Sequence, residues 1–96
     1  MFYLGDDYEG VYFTNREAEC LMHLLEGKTI VATAKELGLS HRTVEFYVKN
    51  MKMKVGAVSK IQLIEKIGKT DFVKNYHYNI LMKKSAPKSA KGASRE

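Results

Sequence analysis

Residues 29–55 read TIVATAKELGLSHRTVEFYVKNMKMKV, and this stretch decides the fold. It divides into a short helix, a three-residue corner and a longer helix. Ala34 is small enough for a second helix to cross closely, and Gly38 tolerates the positive φ at which a helix stops. Leu39 plugs the corner, and Ser40 supplies a hydroxyl for the free amides of the next helix. On that helix Val44, Val48, Met51 and Val55 recur at four, three and four residues, with Tyr47 beside them, which marks a core stripe. The opposite face presents His41, Arg42, Glu45, Phe46, Lys49, Lys52 and Met53. This layout is a helix-turn-helix.

Phe46 is the odd member of the outer face. An apolar ring among charged neighbours suggests a contact surface, against the plainer reading of a partly covered packing residue. Lys52 and Lys54 are open to two readings, as part of a basic contact surface or as ordinary solvated lysines.

Upstream, Thr14-Asn-Arg-Glu17 matches a capping box and opens a helix over Asn15 to Glu26, which Gly27 ends. Ala18, Leu21, Leu24 and Leu25 share one face of it, with Cys20 stacked a turn before Leu24. Cys20 reads as a small buried hydrophobe, since no second cysteine exists to pair with it. Thr29 is placed to cap the second helix, Ile30 to Leu37. Downstream, Ser59-x-x-Gln62 is a second capping box, opening a fourth helix to about Ile67. Ile61, Leu63, Ile64 and Ile67 cover an arc of roughly 160° on it, broader than one core contact requires. The surplus is either a dimer seam or a face over which residues 70–82 fold back.

The chain thus divides into an aromatic and acidic lead-in (1–13), a helical domain (14–68), an extension (69–82) and a basic tail (83–96). The lead-in, MFYLGDDYEGVYF, reads as a loop or loosely extended segment whose Tyr8, Tyr12 and Phe13 can pack on the helices, or as the end of a linker from a larger protein. In the extension, Phe72, Tyr76 and Ile80 lie four apart, the spacing of a short fifth helix. The tail is small, basic and broken by Pro87 and Gly92, and is expected to be disordered. The fold class is therefore all-α: a four-helix helix-turn-helix bundle with room for a fifth helix.

Ninety-six residues allow one small domain, and the formal net charge of +5 favours a polyanionic partner. No apolar run of about 18 residues is present, so no membrane span is expected. The N-terminus lacks a secretory signal, which makes a cytoplasmic location the expectation. His23, His41 and His77 form no metal or triad spacing with Cys20 or a nearby carboxylate, so neither an enzyme nor a metal, cofactor or small-molecule site is expected.

Taken together, Thr14-x-Arg16-Glu17-x-Glu19-x-Leu21, Gly27-Lys28-Thr29 and Ala34-x-x-Leu37-Gly38-Leu39-Ser40-x-Arg42-Thr43-Val44-Glu45, followed by Tyr47, Asn50, Met51 and Lys54-Val55, resemble the LuxR-type (GerE-like) helix-turn-helix of bacterial transcriptional regulators. The likeness covers Phe13 to Ile67. It departs at Ala32 and Thr33, where the family commonly has Glu and Ile, at Tyr47, often His, and at Phe13 and Val55, often Leu. Nothing resembles the receiver or acyl-homoserine-lactone domain that many members carry upstream.

The resemblance implies a domain that binds double-stranded DNA as a homodimer, with the third helix as recognition helix in the major groove and the fourth at the two-fold axis. Carried over by position, Glu45, Phe46 and Lys49 become the base-edge readers. Lys49 can donate to guanine, Glu45 can accept from cytosine N4, and Phe46 can touch a thymine methyl. Lys28, Thr29, Arg42, Thr43, Asn50 and Lys52 become phosphate contacts, which fix register without reading sequence. Ile61, Ile64 and Glu65 fall at the implied dimer interface. RNA polymerase or a larger regulator is a further partner that such a domain implies. The alternative is a protein-interaction module that pairs with larger regulators instead of acting on DNA alone.

Overall fold

A computed structural model describes residues 2–90. Four helices carry the architecture. They are α1 (Asn15–Leu25), α2 (Ile30–Leu37), α3 (His41–Val55) and α4 (Lys60–Gly68), and α1 and α2 both pack on α3. Each begins where a hydroxyl meets a free amide. Thr14, Thr29, Ser40 and Ser59 accept from the backbone N–H groups of Glu17, Ala32, Thr43 and Gln62 at 3.0–3.2 Å. The Thr14 box is complete, because Glu17 also accepts from the Thr14 N–H at 2.9 Å. At Ser59 only half the expected box forms. Gln62 reaches past Ser59 and accepts from the N–H of Val58 at 2.8 Å, one residue further out.

At the corner Gly38 adopts φ 69°, and the N–H of Leu39 closes back on the carbonyl of Ala34 at 2.8 Å. This left-handed turn sets the angle between α2 and α3. The inner face of α3 buries Val44, Val48, Met51 and Val55 against Ala18, Cys20, Leu21 and Leu24 of α1 and Ala34 of α2, with Leu63 and Ile67 of α4 completing the core. Tyr47 is half-buried against it.

The lead-in departs from the expected loop. Its two strands, β1 (Phe2–Tyr3) and β2 (Tyr12–Phe13), pair antiparallel with Phe2 opposite Phe13 and Tyr3 opposite Tyr12. A short 3-10 turn over Asp6–Tyr8 lies between them. Because strand side chains alternate, Phe2 and Phe13 point inward and are buried while Tyr3 and Tyr12 stack outside at 5.5 Å. The residues expected to pack were Tyr8, Tyr12 and Phe13. Phe13 is fully buried and Tyr8 partly covers the core, but Tyr12 stays exposed, and Phe2 and Leu4 take the interior places instead.

Phe2 and Phe13 find their partners on the fifth helix, α5 (Phe72–Ala90). Phe72 is buried between them, 6.2 Å from Phe2 and 5.7 Å from Phe13, and Tyr76 lies 5.1 Å from Phe2. Burial pushes the Tyr76 phenol above its ordinary pKa, and the carboxylates of Glu19 and Glu26 add to that rise. We call this cluster the clasp. Just before α5, the Thr70 hydroxyl accepts from the N–H of Phe72 at 3.2 Å. The disorder expected from Lys83 onward does not extend to residues 83–90, whose backbone continues the helix through Pro87 to Ala90. Lysine and alanine propagate a helix, and proline removes one donor without ending the segment. Residues 91–96, the remainder of the tail, lie outside the described residues.

One polar group in the core has no answer. Thr33 is fully buried, and its hydroxyl has no hydrogen-bond partner.

Candidate nucleic-acid interface on the third helix

Helix α3 separates its residues cleanly by face. Val44, Val48 and Met51 hold it in the core, and the same 3.6-residue period turns Arg42, Glu45, Phe46 and Lys49 outward, all exposed. Whereas Phe2, Phe13 and Phe72 are buried, Phe46 retains 57% of its accessible surface. Its centroid lies 6.3 Å from that of Tyr47, which anchors in the core and braces it. Glu45 and Lys49 stand four residues apart, the spacing of a helical ion pair, yet no ion pair joins them among the described residues. The outer face therefore presents uncommitted charge of both signs around an apolar ring.

The other end of α3 is the reverse. Lys54 donates to the Glu17 carboxylate at 2.7 Å and to the carbonyl of Tyr12 at 3.0 Å, and its ammonium lies over the rings of Tyr12 and Phe13 at 5.2 and 5.7 Å. Glu17 is buried, so the pair ties the last turn of α3 to the first turn of α1 and to the hairpin. Lys54 is thus engaged with α1 and the hairpin, unlike an ordinary solvated lysine. The capping-box pattern located Glu17 but contained no hint of a partner 37 residues away.

The residues expected at phosphates lie around the helix starts. Thr29 and Arg42 are exposed, while Thr43, Asn50 and Lys52 are half-buried. The Thr29 hydroxyl is engaged as a cap, and the Thr43 hydroxyl shares a 2.9 Å hydrogen bond with Ser40. Lys28 differs most from expectation. Its ammonium meets Glu36 at 3.0 Å, Glu26 at 3.2 Å and Nδ1 of His23 at 3.0 Å. An ammonium only donates, so in this contact Nδ1 of His23 is the acceptor. The Glu36 hydrogen bond raises the Lys28 pKa above its ordinary value, and the same contact lowers that of Glu36. Three donors with three acceptors leave Lys28 committed to the junction of α1 and α2.

On α4 the broad apolar arc is only partly covered. Leu63 and Ile67 are buried and Ile64 is half-buried, but Ile61 keeps 67% of its surface and Val58, just before the helix, 82%. Glu65 is exposed beside them. The extension folds back onto the hairpin, with fewer contacts to α4, and leaves Ile61 open. Cys20 is fully buried, and burial, with the nearby Glu19 carboxylate, pushes its thiol up to about 11. It is a packing group at neutral pH. Among the described residues no cluster of His, Cys, Asp or Glu has the arrangement of a metal site, and no helix is long and apolar enough to cross a membrane.

Residues 11–67 match the GerE family, bacterial regulatory proteins of the luxR family. Over 53 residues the chain is 43% identical to the transcriptional activator protein LuxR of Aliivibrio fischeri, a match covering 55% of this chain and 21% of that protein. Over 63 residues it is 40% identical to the transcriptional activator protein AhyR of Aeromonas hydrophila, covering 66% of this chain and 24% of the relative. Among solved structures it resembles the Vibrio cholerae VqmA dimer, a LuxR-type receptor determined in the absence of target DNA, with a TM-score of 0.61 at 42% identity over 62% of this chain and 26% of that one. The chain spans about a quarter or less of the length of these relatives. It belongs to the luxR family of bacterial regulatory proteins, and carries that family's DNA-binding, transcription-regulating helix-turn-helix.

Proposed function

We propose that the protein is a sequence-specific transcriptional regulator that inserts α3 into the major groove of duplex DNA and acts as a dimer. The observation that carries this reading is the free outer face of α3: Glu45, Phe46 and Lys49 are exposed, while the inner face is wholly occupied by the core. Lys49 donates to a guanine edge, Glu45 accepts from an amino group and Phe46 covers a methyl. Arg42, Asn50, Lys52 and the start of α2 at Thr29 hold the backbone, where a helix N-terminus and a hydroxyl favour phosphate. Lys28 contributes to the shape of that start, since its charge is already offset by Glu26 and Glu36. Val58, Ile61 and Ile64, with Glu65 at the rim, supply the face through which two copies pair and so address a two-fold site.

A second reading has its own support in the open apolar face of α4. The chain covers little of its relatives' length, and a partner seated on Ile61 need not be a second copy. In that reading the domain pairs with a larger regulator.

The test selects a preferred site from a random duplex pool and then compares variants on it. Lys49→Ala is expected to weaken binding by about 1–3 kcal/mol at the preferred site and to relax one base position. Lys52→Ala is expected to weaken all duplexes alike and to lower the salt slope by roughly one unit. A two-fold symmetric consensus supports the dimer. Failure to bind any duplex at low salt, with co-purification of a larger regulator, replaces this reading with the second one.

A further inference from the structure

Glu45 and Phe46 are adjacent on the exposed face of α3, and neither side chain is used by the fold. Glu45 makes no ion pair with Arg42 or Lys49, although both lie at helical contact spacing. Phe46 is 57% exposed, with its ring centroid 6.3 Å from that of Tyr47. An exposed ring gains from an apolar contact, and the major groove offers one apolar group on its base edges, the C5 methyl of a pyrimidine. A carboxylate is repelled by phosphate and gains only from a base amino group, which cytosine presents at N4, next to C5.

From this pairing we infer that the recognition helix reads a pyrimidine C5 methyl group, and that binding therefore responds to C5 methylation of the DNA site. The inference rests on the proposal that α3 enters the major groove. Thymine and 5-methylcytosine carry the same methyl at the same place. They differ at the neighbouring position, where thymine has an O4 acceptor and 5-methylcytosine an N4 donor that suits Glu45.

The experiment uses the full chain and the site recovered from the random pool. Each thymine is replaced in turn by deoxyuridine, and each cytosine in turn by 5-methylcytosine, and affinity is read by competition. One thymine whose demethylation costs about fourfold identifies thymine as the source; one cytosine whose methylation gains about fourfold identifies 5-methylcytosine. Either response must vanish in Phe46→Ala and persist in Phe46→Leu, with helix content and Tm unchanged in both. A site bound selectively yet indifferent to every methyl added or removed overturns the inference and leaves the regulator reading standing. A methyl response that survives Phe46→Ala also overturns it. Absence of any preferred site overturns both.

Discussion

In the helix-turn-helix, aliphatic side chains of α1, α2 and α3 meet at helical spacing around Val44, Val48 and Met51, whereas the hairpin and α5 meet through the rings of Phe2, Phe13, Phe72 and Tyr76. The first region is assembled from neighbours in sequence, each helix opened by its own hydroxyl cap. The second joins two segments that lie on either side of the whole domain. The matched family region ends at Ile67 and begins at Val11, so most of the clasp lies outside it. What the two regions share is Lys54. Its ammonium holds Glu17 of α1 and the carbonyl of Tyr12 in the hairpin, and so makes the end of α3 the joint between them. The difference teaches that the face reading DNA in our proposal and the surface that steadies it are carried by opposite ends of one helix.

The largest effect is expected where the clasp is densest. Phe72→Ala removes a fully buried ring and should lower stability by about 3–5 kcal/mol in urea or thermal unfolding. If the clasp were independent of the helices, α5 would melt alone and the midpoint of the remaining transition would not move. Next is the joint itself. Lys54→Met leaves the buried Glu17 carboxylate without its cation and should cost about 2 kcal/mol, part of which the double variant with Glu17→Gln restores. An unchanged Tm for Lys54→Met would separate the two regions again.

Thr33→Val is expected to act in the other direction. It replaces an unpartnered buried hydroxyl with a methyl of similar shape and should raise stability by about 1 kcal/mol, a gain confined to the helix-turn-helix. The smallest effect concerns Glu36, which is exposed. Its pKa is lowered in the fold by Lys28, so the stabilisation it brings is present above the ordinary carboxylate range and is lost as pH falls through the depressed value. Tm curves of the wild type and Glu36→Gln should therefore differ slightly at neutral pH and converge in acid.

Much of the first region is legible in the sequence, because caps and stripes are local signals. Thr14, Thr29, Ser40 and Ser59 each announce a helix start, and Gly38 and Gly56 each take the positive φ that ends one. The outer face of α3 follows from the same period, and Phe46 and Lys49 lie where it puts them. The clasp has no such signature. Strands of two residues carry no readable alternation, and nothing in FY or YF states that the partner ring is Phe72. The Glu17–Lys54 pair was hidden for a related reason: each residue has a sufficient local explanation, one as a cap and the other as a surface lysine. The ion pairs of Lys28 are not legible in the sequence, because its acceptors come from three places, His23, Glu26 and Glu36, and converge only when α1 and α2 meet. The half-formed box at Ser59 shows the limit of the pattern itself, since a glutamine reaches one residue past the position its spacing names.

The separation between the hairpin and α5 has a consequence in time. Asn75 and Tyr3, which meet through an amide and a carbonyl at 3.5 Å, are 72 positions apart along the chain. Closing so long a loop carries an entropy cost that grows only slowly with length, but all of it falls due before any ring touches another. Formation of α1 to α4 shortens the effective span by bringing both segments to one side of the bundle. We expect assembly in the order helices first and rings last, so that Phe72→Ala changes the unfolding rate more than the folding rate.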